Sequence, residues 1–91
     1  MRVTAIGITS NSCPECSELK NLLQRDFLKY NIYLDFVEVI YDEDPKEAMK
    51  LSEEMGIKTT PSFLICDEIF PRYYDSYKIT KIVNKIKNSS T

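Results

Sequence analysis

The sequence predicts an α/β fold whose strands and helices follow the order β-α-β-α-β-β-α. Three observations carry this. Apolar runs at residues 3–9 and 32–40, rich in β-branched and aromatic side chains, flank a stretch where Leu19, Leu22, Leu23 and Phe27 recur at helical spacing. Residues 62–74 read as two short strands turned back on one another. Near the C-terminus, Ile79, Ile82, Val83 and Ile86 fall at i, i+3, i+4 and i+7, the pattern of an amphipathic helix.

The first strand, residues 3–9, is apolar enough to be buried, and it runs directly into Ser12-Cys13-Pro14-Glu15-Cys16. Pro14 suits the first helical position, where no amide hydrogen is needed and its φ is already helical. The helix is expected over residues 14–29, with Glu18, Lys20, Asn21, Gln24 and Arg25 on its wetter face. Asn31 breaks the pattern, and residues 32–40 follow as the second strand. A crossover of this length makes the two strands parallel neighbours joined in the right-handed sense. Residues 42–44 form a turn, and Asp44-Pro45-Lys46-Glu47 has the order N-cap, first-turn proline, third-position glutamate. The second helix carries Ala48, Leu51 and Met55 and stops at Gly56, a candidate left-handed cap. The hairpin arms are residues 62–66 and 69–74. Pro71 cannot donate to a sheet ladder, which places the second arm at the sheet edge. The last helix is expected over residues 76–87, its Lys78, Lys81, Lys85 and Lys87 forming a solvated face, and residues 88–91 are a polar tail. No repeat or linker interrupts the chain.

Ninety-one residues are enough for one domain with one core. A net charge of −2 and a pI near 5.1 leave no basic excess for neutralising phosphates, so nucleic acid is not an expected partner. The N-terminus enters the first strand at once, without a charged-then-apolar leader or a spanning apolar segment. A cytoplasmic, monomeric protein without membrane attachment is the expectation. Three cysteines are an odd set for a disulfide framework, which leaves catalysis or metal binding. The absence of histidine removes the Cys-His nucleophile pair and every His-containing zinc site.

A cysteine at a helix N-terminus feels unpaired amides and the positive end of the helix dipole, which stabilise its thiolate. Cys13 is therefore the candidate attacking thiol. Cys16 lies three residues on, on the stripe of Leu19 and Leu23, and should be the sheltered partner that resolves a mixed disulfide. The acidic run at 42–44 reads as turn and cap, with no calcium-loop spacing.

The motif Cys13-Pro14-Glu15-Cys16 and the later Thr60-Pro61, preceded by Ile57, together resemble the thioredoxin superfamily, in particular its compact glutaredoxin-like branch, over about residues 3–87. The resemblance implies a four-stranded mixed sheet of order 2-1-3-4 flanked by three helices, the third strand antiparallel to the first, and a cis Thr60–Pro61 bond beside the cysteines. It implies a thiol-disulfide oxidoreductase that reduces or exchanges protein disulfides through a Cys13/Cys16 dithiol, in electron transport and redox homeostasis, with no cofactor beyond that redox-active disulfide and no metal. Pro14, Glu15, Thr60, Pro61, Tyr73 and Tyr74 would then line the substrate groove. Cys66, five residues beyond Pro61 and roughly 16 Å away along a strand, would be a small buried hydrophobe.

Three features depart from the family pattern. Arg72-Tyr73-Tyr74-Asp75-Ser76 stands where glutaredoxins carry the glycine pair that receives glutathione. Gly7 stands near the place of the buried acid of thioredoxins, and Asn11-Ser12 replaces their tryptophan. A protein disulfide, served by a reductase or other thiol donor, is thus the favoured partner over glutathione. A glutathione-dependent glutaredoxin remains the near alternative. A dimeric zinc or iron-sulfur module, built on the Cys-x-x-Cys of two chains, is the alternative of another class.

Overall fold

Hydrogen bonding on both of its edges makes β1, residues Arg2–Thr9, the spine of the fold. The computed structural model describes residues 1–57, 60–72 and 74–89. After β1 come α1 (Pro14–Leu28), β2 (Tyr33–Ile40), α2 (Pro45–Met55), β3 (Ser62–Ile65), β4 (Glu68–Pro71) and α3 (Tyr77–Ser89). The sheet order is β2-β1-β3-β4, with β2 parallel to β1 and β3 and β4 antiparallel to their neighbours. Architecture and strand order are those expected. β4 is indeed an edge strand, and Pro71 pairs with Ser62 at its end.

Alternation along β1 splits the apolar residues between two faces. Ala5 joins Leu34, Phe63, Ile65 and Phe70 under Leu19, Leu23 and Phe27 of α1 and Ile79, Ile82 and Val83 of α3. Phe27, Phe63 and Phe70 are fully buried there, and Phe27 meets Phe70 edge to face at 6.0 Å. Ile8 points to the opposite face, where α2 brings Ala48. Burying three phenylalanines contributes about 1.5–3 kcal/mol each before entropy is counted.

Helix ends follow local chemistry. Asp44 caps α2 by accepting from the Glu47 amide at 3.3 Å, and Gly56 closes it with φ +69°. Asp75 Oδ1 accepts from the Tyr77 amide at 3.0 Å at the start of α3.

Three expectations change. Gln24 is not simply wet: its side chain accepts from the Leu34 amide at 3.1 Å and donates to the Ile32 carbonyl at 3.4 Å, pinning α1 to the start of β2. Lys78 and Lys81 are tied to the hairpin, Lys78 donating to the Ile69 carbonyl at 2.7 Å and Lys81 pairing with Glu68 at 3.0 Å. Cys66 is not a buried strand residue. β3 ends at Ile65, and Cys66 is half-buried in the two-residue turn Cys66-Asp67, with φ +47° and +66°. Both φ values are positive, as the tightest hairpin turns require, so the chain reverses one residue earlier than a strand ending at 66 would allow.

Candidate functional site

β1 ends in buried Thr9, whose carbonyl accepts from the Tyr41 amide at 2.8 Å. Just beyond, the Asn11 amide donates to Asp42 Oδ2 at 2.7 Å. These bonds fix the loop after β1 against the turn after β2 and set Cys13 at the N-cap of α1. Pro14 follows at the first helical position, exposed. The Cys16 amide donates to both the carbonyl and the sulfur of Cys13, each at 3.1 Å. One of the orphan amides of the helix start thus faces Cys13 Sγ.

The two cysteines differ in access. Cys13 is half-buried, whereas Cys16 is 4% exposed beneath the helix. They are joined in a disulfide, with Cα atoms 5.3 Å apart and a dihedral of 86°. After reduction, an accessible sulfur facing an amide would stand one turn from a sheltered one, the arrangement needed for attack followed by resolution.

Pairing of Ile8 with Ser62 brings the start of β3 beside the end of β1. The preceding Thr60–Pro61 bond is cis, with Pro61 buried and Thr60 exposed. Thr60, Pro61, Cys13, Pro14, Glu15 and Cys16 are therefore gathered at one end of the sheet. Tyr74 is not among them. Its ring packs edge to face on Phe70 at 5.4 Å, and its hydroxyl donates to Asp26, ten residues or about 15 Å along α1 from Cys16. Tyr74 is a clamp between α1 and the segment before α3. Tyr73 lies outside the described residues.

Arg72 takes a place that the sequence did not assign to it. Its Nη1 lies 3.1 Å from Glu15 Oε1, and both side chains are part-exposed. A signal for this existed in the hairpin. Once Cys66-Asp67 is the turn, the register that pairs Ser62 with Pro71 sets residue 72 opposite residue 61.

Gly7 is required by a close approach. A Cβ there would lie 2.3 Å from the Phe63 ring and 2.6 Å from the Ser62 carbonyl oxygen. Phe63 fills the space that an acid at position 7 would need.

Cys66 sits at the far end of β3 from Pro61. Burial, and then the Asp67 carboxylate, push its thiol above the ordinary value, with Lys85 opposing. It is a weak nucleophile compared with a helix-tip thiol.

No family model matches the chain, and no curated protein does. The chain does superpose on a solved structure described as a malarial protein, with a TM-score of 0.53 at 16% identity, over 93% of this chain and 97% of that one. At that identity the likeness is one of fold. No described helix is long and apolar enough to cross a membrane.

Proposed function

We propose that this chain is a thiol-disulfide oxidoreductase of the thioredoxin superfamily, acting on protein disulfides. The reading rests on Cys13 and Cys16 together, one accessible at the helix tip with an amide on its sulfur, the other buried one turn on. In the reduced protein the Cys13 thiolate attacks a client disulfide, forming a mixed disulfide and releasing one client thiolate. The Cys16 thiolate then attacks Cys13 Sγ and releases the second. Two electrons pass to the client, and the Cys13–Cys16 disulfide awaits two from a dithiol or reductase donor.

Glutathione is the weaker donor in this reading. The Tyr77 amide at the start of α3 is already held by Asp75, and no glycine opens the backbone there to an incoming carboxylate. An extended client segment, laid against exposed Thr60 where β1 ends and β3 begins, suits the site better.

The test is a trap. Cys16→Ser should accumulate a mixed disulfide with client protein, and Cys13→Ser should accumulate none. In an insulin reduction assay, a thioredoxin-reductase-type donor should sustain turnover where glutathione gives only slow reduction. Rapid, saturable turnover with glutathione would return the protein to the glutaredoxins. Stoichiometric zinc or iron in anaerobically purified protein would favour the metal module instead.

A further inference from the structure

Next to the cysteine loop, on the α2 face of the sheet, lies an open cleft of about 250 Å³ lined by Ile8, Ala48 and Ile57 at its base and Tyr41, Met49 and Glu53 at its lip. Its size falls below that of a pocket for a drug-sized ligand and matches one inserted side chain. Two of its lip residues are large, apolar and unusually wet: Met49 is 56% and Tyr41 48% exposed. Thr60, whose bond to Pro61 is cis, also lines it, and Ile8 is five residues before Cys13. An occupant would therefore lie beside Thr60 and the strand that leads into the cysteine loop.

The segment that supplies most of the lining is acidic in sequence. Between residues 38 and 60 stand seven carboxylates and three lysines. Some of these acids are already used, Glu38 by Lys20, Asp42 by the Asn11 amide and Asp44 by its cap. Among the described residues no ion pair holds Glu53, whose charge at the lip is open to a partner cation. The five cations of residues 68–87 belong to the other end of the chain, the hairpin and α3.

We infer that this cleft is a client-selecting subsite: it takes an apolar side chain close in sequence to the client's disulfide cysteine, and Glu53 takes a lysine or arginine beside it. The inference rests on the oxidoreductase reading and names the client class, a basic segment with an apolar anchor. Apolar contact supplies affinity, and the carboxylate suppresses acidic segments and speeds encounter.

Four short peptides, each with an internal disulfide, test it against the reduced protein: Phe with Lys, Phe with Glu, Ser with Lys and Ser with Glu near the attacked cysteine. The Phe-Lys peptide should oxidise the protein at least about tenfold faster than any other, the scale of discrimination that one side-chain pocket gives. Its advantage over Phe-Glu should shrink as salt rises. Glu53→Lys should reverse the Lys-over-Glu preference, and Met49→Ser should reduce the Phe-over-Ser preference. Equal rates for all four peptides, or preferences unmoved by both substitutions, would overturn the subsite while leaving the oxidoreductase reading intact. Exchange with none of them would overturn that reading and the subsite with it. A dimer that Met49→Ser dissociates would assign the cleft to a second copy of this chain and also overturn the proposal.

Discussion

Glu15 and Arg72 set opposite charges at the first turn of α1, two residues from the sulfur that would ionise in the proposed exchange. A carboxylate near a developing thiolate opposes it, and a guanidinium supports it. In Glu15→Gln the opposing charge is lost while the Arg72 charge stays, so the thiolate gains. A stabilised thiolate favours the reduced form and makes the disulfide a stronger oxidant. In Arg72→Gln the carboxylate stands alone and the protein becomes more reducing. The pair is part-exposed, so each shift should be of order 10 mV, with opposite signs and a double substitution between them. Redox equilibration against a glutathione or dithiothreitol buffer reads all three. Shifts of the same sign in both single variants would refute the electrostatic account. At Gly7 the constraint is steric: Gly7→Ala should cost about 1–3 kcal/mol in urea unfolding, because the new methyl meets both a ring and a fixed carbonyl.

The element most open to improvement is the β3–β4 hairpin. Cys66 and Asp67 both hold positive φ without being glycine, and Asp67 is exposed. Asp67→Gly should stabilise the fold by about 0.5–1 kcal/mol, visible as a higher urea midpoint. Tyr74 ties α1 to the other end of that hairpin. Burial, the bond to Asp26 and the Asp26 charge raise its phenol above the ordinary value near 10. An unfolded chain therefore releases that proton before the folded one does. The stability from this group is whole below about pH 10 and drains as pH rises toward the raised folded value. Wild-type stability should fall as pH rises above about 10, and Tyr74→Phe should fall less from a starting point lower by about 1–2 kcal/mol. An identical slope in both proteins would contradict the clamp. These same elements mark what the sequence could tell. Asp44, Gly56 and the Cys13-Pro14 start were legible because caps and helix tips are decided within four or five residues. Gln24, Tyr74 and Arg72 were not, because their partners come from other elements. Cys66 was misplaced because a turn with two positive-φ residues here lacks the usual Asn-Gly.

Across the whole molecule, the element order and the parallel β1–β2 pair could be read from hydrophobic period and the crossover rule, whereas strand order and the gathering of both sequence signatures at one sheet end were legible only through the family resemblance. Less legible was the asymmetry there, with the Arg72–Glu15 pair at the first turn of α1 and an apolar cleft, Glu53 at its lip, on the α2 face of the sheet. That asymmetry is a product of packing between segments far apart in sequence. Under the proposed function it would give the chain a direction in which to receive a client, with the chemistry beginning at one sulfur. Alkylation of the fully reduced protein across a pH series, with each cysteine followed by mass spectrometry, tests that beginning most directly. Cys13 should be modified first at every pH, with a midpoint below the ordinary thiol value of about 8.5, and Cys16 and Cys66 should lag. Faster labelling of Cys66 or Cys16, or a Cys13 midpoint at or above that value, would contradict the assignment of Cys13 as the attacking thiol.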